Sequence, residues 1–222
     1  MKYLQEVIPE NSKILDCCAG TGIYAFALAK QHRVVAGDLS EKHIAQMKEL
    51  QKDAPQLEEI HWLDARHMGI FEDESFDVVL CMGALYHLFS YEDRMNAIRE
   101  CVRLCKKGGI LVFAYLNKWG NFYNGMINNL KPMDLLYREF DSGNHEDIFF
   151  RTTAEEVNAM CQALNLICLR NIGVDHLAFL SSERIDAMSD EEYAHLLDYQ
   201  LKATQEPNIA GASLHGLWIG RK

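Results

Sequence analysis

No run of lysines or arginines occurs anywhere in the 222 residues: 22 Lys and Arg are scattered among 32 Asp and Glu, for a formal net charge of −10. Such a field repels polyanions, so neither DNA nor RNA is expected as a partner. No stretch approaches the ~20 consecutive apolar residues that a membrane span needs, and the opening MKYLQEVIPENSK has no apolar core of signal-peptide length. The expectation is a cytoplasmic protein with no membrane partner. The seven cysteines are odd in number and lack the rhythm of a disulfide scaffold, and Cys17, Cys18 and Cys81 fall inside strand-like runs. Reduced thiols follow. Only four prolines occur, too scattered to mark a linker, and no repeat or low-complexity segment appears. With 49% hydrophobic residues, the chain has the material for one sizeable core, and one domain over 1–222 is expected.

What is present starts at Lys13. KILDCCAGTGIYAFAL reads as a short apolar strand (Ile14, Leu15) ending in Asp16, a turn carrying Gly20 and Gly22, and an apolar helix. Glycines just past the carboxyl end of a buried strand let backbone N–H groups approach a small molecule with no Cβ in the way. The spacing leaves two cofactors open. Gly20, Gly22 and Ala25 fit the G-x-G-x-x-A form of the dinucleotide fingerprint, and Asp38, after the next apolar run, suits ribose hydroxyls. Against a dinucleotide, Asp16 stands in the ligand mouth, where it would repel a pyrophosphate. A cationic cofactor tolerates it.

Strand-like and helix-like segments then alternate. Ile23 to Gln31 reads as a helix, Arg33 to Gly37 as the second strand, and Ser40 as the cap of a helix through Lys52; His43 stands where a full capping box would need Glu or Gln. Glu59 to Leu63 is the third strand and Phe76 to Met82 the fourth, with the acidic 71–75 turn between them as solvated loop. Tyr91 to Lys106 has a helical apolar stripe and should end at Gly108-Gly109, ahead of a fifth strand at Ile110 to Tyr115. Five alternations predict a doubly wound α/β sheet. Residues 117–147 break the rhythm with many aromatics and are expected to form two short helices split near Pro132. Leaving strand five at its carboxyl end, this insertion is placed to be a lid over the acceptor. Thr152 or Thr153 should cap a helix through Leu164, Leu166 to Ile172 should be strand six, Ser189 should cap a helix to Gln205, and Ser213 to Gly220 should be a last strand. Tyr3, in the lead-in, is able to fold back toward the mouth.

Asp16, Gly20 and Gly22, followed by Asp38 and by Asp64-Ala65, resemble the nucleoside-binding set of the class I S-adenosylmethionine-dependent methyltransferases. Phe76 to Cys81, Leu104 to Gly109 and Ile110 to Ala114 resemble that family's fourth strand, the turn into its fifth strand and the fifth strand itself; Gly83 to Leu88 and Leu214 to Lys222 resemble a bacterial small-molecule branch of the methyltransferase type 11 kind. The resemblance implies a Rossmann-like sheet of seven strands in the order 3-2-1-4-5-7-6, with strand 7 antiparallel. It implies S-adenosylmethionine as cofactor: Asp16 and the backbone from Cys17 through Cys18 to Gly22 around the methionine portion, Asp38 on the ribose hydroxyls, Leu39 on the adenine face, Asp64 and the Ala65 N–H on the adenine edge, and Met82 beside the sulfonium. Cys18 stands where the family usually has glycine.

The reaction so implied is methyl transfer to a small-molecule acceptor. After the fourth strand, Cys81-Met82-Gly83-Ala84 lacks the Asn/Asp-Pro-Pro-aromatic motif of base N-methylation, and no Pro-Cys nucleophile is present. Tyr86 and His87, just past that strand, are the catalytic candidates, His87 as a proton acceptor for a hydroxyl or ammonium. His145 and His176 are weaker candidates in loops that the sequence does not place. Cys17, Cys18 and Cys81 should lie near one another; the alternative there is a soft metal or metalloid site, but the spacing matches no metal motif, and three small buried hydrophobes are expected. The rival readings are a nicotinamide-dependent oxidoreductase and a binding module without turnover. The acceptor, the atom methylated and the oligomeric state are not legible.

Overall fold

The computed structural model describes residues 1–144, 148–204, 206 and 210–222. A short helix α1 (Lys2–Val7) leads into β1 (Lys13–Asp16), α2 (Ile23–Leu28), β2 (Arg33–Asp38), α3 (Glu41–Leu50), β3 (Glu59–Trp62), β4 (Phe76–Cys81), α4 (Tyr91–Leu104) and β5 (Cys105–Asn117). Then come α5 (Lys118–Ile127), α6 (Met133–Ser142), β6 (Arg151–Thr152), α7 (Ala154–Gln162), β7 (Ile167–Gly173), α8 (Ser182–Asp186), α9 (Asp190–Ala203) and β8 (His215–Arg221). The strands form one sheet in the order β3-β2-β1-β4-β5-β8-β7, with β6 beside β5 off this path. β8 runs antiparallel to both β5 and β7, and the remaining pairs are parallel. This is the expected order, with an eighth strand added.

Both faces of the sheet are covered, which is why the central strands read as continuous apolar runs. Alternate residues serve opposite faces: Leu15, Val35, Val79, Leu111 and Phe113 pack with Met95, Ile98 and Cys101 of α4 and Val157 and Met160 of α7. Ile14, Val34, Ala36, Val78, Leu80 and Val112 pack with Ala25, Leu28, Ile44 and Met47 from α2 and α3. The caps hold these helices where the sequence puts them. The side chains of Ser40 and Ser90 accept from the backbone N–H three residues on, and Thr153 with Glu156 and Ser189 with Glu192 make full capping boxes.

Three local expectations are corrected. The fifth strand begins at Cys105 rather than Ile110, because the 106–109 segment bulges within the sheet instead of leaving it: the Gly108 N–H donates to Lys222 O (3.0 Å), the Lys222 N–H to Gly109 O (3.1 Å), and Lys106 Nζ reaches Asp77 Oδ1 at 2.7 Å. Tyr3 turns away from the mouth, where its hydroxyl bonds Thr204 Oγ1 and donates to Leu201 O (3.2 Å) beside α9. β6 has two residues, paired with Leu116 and Asn117, too short for any periodicity to announce it. His145 and the end of the 117–147 insertion lie outside the described residues.

Candidate active site

At the carboxyl ends of β1, β2 and β4 a crevice of about 690 Å³ opens, where the connection from β1 crosses to β2 on one side and the sheet continues to β4 on the other. Its size falls within the ~300–1,000 Å³ usual for small-molecule sites. Asp16, Cys17, Cys18, Gly20, Asp38, Leu39, Asp64, Ala65, Met82, Tyr86 and His87 all line it. Gly22 does not line it but shapes the turn behind it. Its φ of +88° is left-handed, and a Cβ there would lie 2.8 Å from the Phe26 ring. Gly20, at φ +57°, has open space where a Cβ would project. Together they form a cradle that a side chain would strain or obstruct.

Asp16 is 1% exposed, and among the described residues neither carboxylate oxygen has a hydrogen-bond partner of normal geometry. Burial pushes its pKa up to about 7, against the pull of the Cys18 amide. A buried acid without a partner is costly. In a ligand crevice it marks the place of a cationic or hydrogen-donating group.

Asp38 is better served. Its Oδ2 accepts from the Gly20 N–H (2.8 Å) and its Oδ1 from the Ser40 N–H (2.8 Å), with His43 Nδ1 3.1 Å away. The carboxylate thus ties the glycine turn to the start of α3 before any ligand arrives. His43 is a crevice residue that the sequence reading missed as such. Its signal was its place three residues after the cap, from which an N3 side chain reaches back toward the preceding strand end.

Asp64 is gripped by its own neighbour. Arg66 donates to it from its backbone N–H (2.9 Å) and from Nε (3.0 Å) and Nη2 (2.7 Å), and these bonds hold its carboxyl below the ordinary carboxylate range. Any ligand that reaches Asp64 therefore shares it with Arg66. Leu39 is exposed and held from behind, Trp62 Nε1 donating to its carbonyl at 2.8 Å.

Cys18 is seated by a compensating glycine. A Cβ on Gly83 would lie 3.0 Å from Cys18 Cβ and 3.1 Å from Cys18 O, so the side chain at 18 occupies room left by the absence of one at 83.

Past β4, a 3-10 turn (Leu85–His87) carries the catalytic candidates. The Tyr86 hydroxyl donates to Met82 O (3.1 Å), and burial raises its pKa, so it stays protonated. His87 is exposed, with its Nδ1 3.1 Å from Ile148 O. A carbonyl only accepts, so Nδ1 carries the proton of the neutral ring and Nε2 keeps its lone pair. The 148–150 segment clamps this turn: the Phe150 N–H donates to Tyr86 O (2.7 Å), and the Phe149 ring centroid lies 6.0 Å from that of Tyr86 and 5.1 Å from that of His87. No described residue of 117–144 lines the crevice. His176 lies at the far side of the sheet edge, next to Ser213, whose Oγ accepts from its N–H (2.6 Å).

Comparison with known proteins fits this geometry. Residues 15–113 match the family model described as a methyltransferase domain. A ubiquinone biosynthesis O-methyltransferase of Paracidovorax citrulli is 32% identical over 173 residues, covering 75% of this chain and 68% of the relative. Another of that name, from Hydrogenovibrio crunogenus, is 28% identical over 205 residues, covering 91% and 80%. Among solved structures, a SAM-dependent methyltransferase of Methanosarcina mazei shares the fold with a TM-score of 0.68 at 16% identity, covering 100% of this chain and 97% of that one.

Proposed function

Since the chain belongs to the class I S-adenosylmethionine-dependent methyltransferases and methylates a small-molecule acceptor, we propose that the atom methylated is the hydroxyl oxygen of a small aromatic compound, with His87 taking its proton. The family removes the choice left open by the glycine spacing: the cofactor is S-adenosylmethionine, not a nicotinamide, and the protein is an enzyme rather than a binding module. The orphaned Asp16 carries the assignment of residues. Its unpaired carboxyl suits the methionine ammonium, the open side of Gly20 suits close approach to the backbone, and Asp38 at the end of β2 suits the ribose hydroxyls. Leu39 then faces the adenine ring, Asp64 and the Ala65 N–H its edge, and Met82 the sulfur.

Bound there, S-adenosylmethionine supplies a methyl group already activated by its sulfonium. The chain's task is to position, to exclude water and to move one proton. Alignment of donor and acceptor is worth up to ~7–11 kcal/mol in the best oriented cases. A hydroxyl oxygen becomes a good nucleophile as it loses its proton, and His87 offers Nε2 because Ile148 O fixes the proton on Nδ1. Tyr86, kept protonated, is a donor and a wall rather than a base. The rings of Tyr86 and His87 on the crevice wall favour a flat acceptor, and the O-methyltransferase activity named for the relatives favours oxygen.

In the same reading the described part of the insertion, 117–144, stands back from the open crevice and closes over it as a lid once the acceptor is bound, all within one domain. No described helix is long and apolar enough to cross a membrane. The composition supports a cytoplasmic location and the charge of −10 an acceptor other than nucleic acid.

Calorimetric titration with S-adenosylmethionine, S-adenosylhomocysteine and NADH should give binding of the first two alone. With a panel of phenols and amines as acceptors, turnover should be confined to the phenols. His87→Gln should lower kcat by ~10²–10⁴-fold with cofactor affinity unchanged. An unaltered kcat would remove His87 from the mechanism, and turnover of amines alone would replace oxygen by nitrogen.

A further inference from the structure

Beneath the floor of the crevice, three buried sulfurs converge. Cys17 follows β1, Cys81 ends β4 and Cys101 lies on α4, and their Sγ atoms all lie within 4.8 Å of one another. Cys17 is 1% exposed and the other two 0%. Packing explains the convergence. Asp16 and Leu80 are register partners on adjacent parallel strands, so Cys17 and Cys81 are the next positions along them, and α4 lays Cys101 on that face of the sheet. A fourth sulfur forms an entrance: Cys18 Sγ stands 3.7 Å from Cys17 Sγ, and Cys17 and Cys18 both line the crevice.

We propose that Cys17, Cys81 and Cys101 form a three-thiolate site for a trivalent thiophilic metalloid of the arsenite class, entered from the cofactor crevice past Cys18.

The all-sulfur set restricts the occupant to soft ions, and charge narrows it further. The thiols sit in an apolar cluster with Leu15, Leu85, Met95 and Ile98, and no cationic side chain is among the groups acting most strongly on them. A buried net charge without a partner is expensive. Three thiolates around a monovalent ion leave a charge of −2, around a divalent ion −1, and around a trivalent centre none. Only the last is neutral, as an apolar core requires.

The chemistry closes without an oxidant or reductant. As(OH)₃ and three Cys–SH give As(SCys)₃ and three waters: three As–O bonds break, three As–S bonds form, and each thiol proton leaves with a hydroxyl. Arsenic stays trivalent throughout. Cys18, half-buried at the crevice wall, passes the ion inward by exchange. The site stands on the chain's own thiols and does not depend on the methyl acceptor.

The test uses the full reduced chain under anaerobic conditions, its fold verified by circular dichroism. Arsenite is added, small molecules are removed by gel filtration, and arsenic per chain is measured together with the sulfur-to-arsenic charge-transfer absorption. About one arsenic per chain is expected to be retained. Cys101→Ala and Cys101→Ser, which do not touch the crevice, should each weaken retention at least tenfold while S-adenosylmethionine binding is unchanged, and Cys168→Ala, at the exposed cysteine, should retain arsenic fully. Retention by both Cys101 variants equal to that of the parent would overturn the site. So would tighter binding of Zn(II) than of arsenite, or a folded parent that retains no arsenic, whatever its binding of S-adenosylmethionine.

Discussion

Two aspartates at the carboxyl edge of one sheet have opposite surroundings. Asp16, at the end of β1, is buried with no hydrogen-bond partner of normal geometry among the described residues, and its pKa is pushed up to about 7. Asp175, just past β7, accepts from the Ser213 hydroxyl (2.6 Å) and the His215 N–H (3.1 Å), with His215 Nδ1 2.6 Å away. Burial pushes the Asp175 carboxyl up, but the bonds from His215 and Ser213 outweigh it and hold the group below its ordinary value. Residue type and position along the sheet edge are alike; Asp175 is less deeply buried, and it has the partners that Asp16 lacks. A carboxylate whose hydrogen-bonding capacity is met by its own chain is structure. One whose capacity is unmet inside a crevice waits for a ligand.

The largest effect should come from Asp16→Asn. An acid whose folded pKa is raised holds its proton in the folded state to higher pH than in the unfolded state. Between its ordinary value of 3.8 and about 7, the folded form therefore binds more protons, and stability falls as pH rises through that window. The cost is absent below it and complete above it, on the order of 4 kcal/mol. Asp16→Asn should therefore melt higher than the parent at pH 8 and flatten the decline between pH 4 and 7, while S-adenosylmethionine affinity falls about a hundredfold with the loss of the ammonium partner. Thermal melts across pH and calorimetry measure the two sides separately. A variant that gained no stability at pH 8 would show that Asp16 is already satisfied in the free protein.

Asp38→Ala should come next, since it sharpens the contrast from an intermediate case. Its carboxylate is partly consumed by Gly20, Ser40 and His43, yet it is the group to which we assign the ribose hydroxyls. Cofactor affinity should drop by ~1.5–3 kcal/mol, the value of a hydrogen bond to a charged group. Calorimetry showing unchanged affinity would move the ribose elsewhere.

The sheet and the crevice were legible because both are written locally. An apolar run ending in Asp, then glycines and a helix, places Asp16 and Gly20 within a few residues of each other. Val34 to Asp38 and Phe76 to Cys81 repeat the pattern of a strand buried on both faces. What was not legible depends on contacts between segments distant in the chain. Cys101 reaches Cys17 and Cys81 only through the packing of α4. Ile148 fixes the His87 tautomer only because the 148–150 segment returns to the 3-10 turn. The grip of Arg66 on Asp64 is local, but a fork between residues two apart has no periodicity to reveal it. The early start of β5 likewise follows from pairing with the chain's last residues, which a window along the sequence does not see.

The smallest effect, and the sharpest control, is Ser213→Ala. Ser213 is fully buried, donates to Asp175 Oδ1, and accepts from the Asp175 N–H (3.0 Å) and the His176 N–H (2.6 Å). The variant strips one donor from the carboxylate and leaves two amides without their acceptor, so stability should fall by about 1–3 kcal/mol. Part of the Asp175 contribution should go with it: a carboxyl held below its ordinary value stabilises the fold above that value and loses the effect as pH falls through the depressed one, so the deficit should shrink in acid. Cofactor affinity should not move, because Ser213 is not among the residues that line the crevice. Denaturant melts at neutral and acidic pH, beside calorimetry, read all three. If Ser213→Ala instead weakened S-adenosylmethionine binding with stability intact, Asp175 would stand with Asp16 as a ligand-facing group, and partner count would no longer separate site from scaffold.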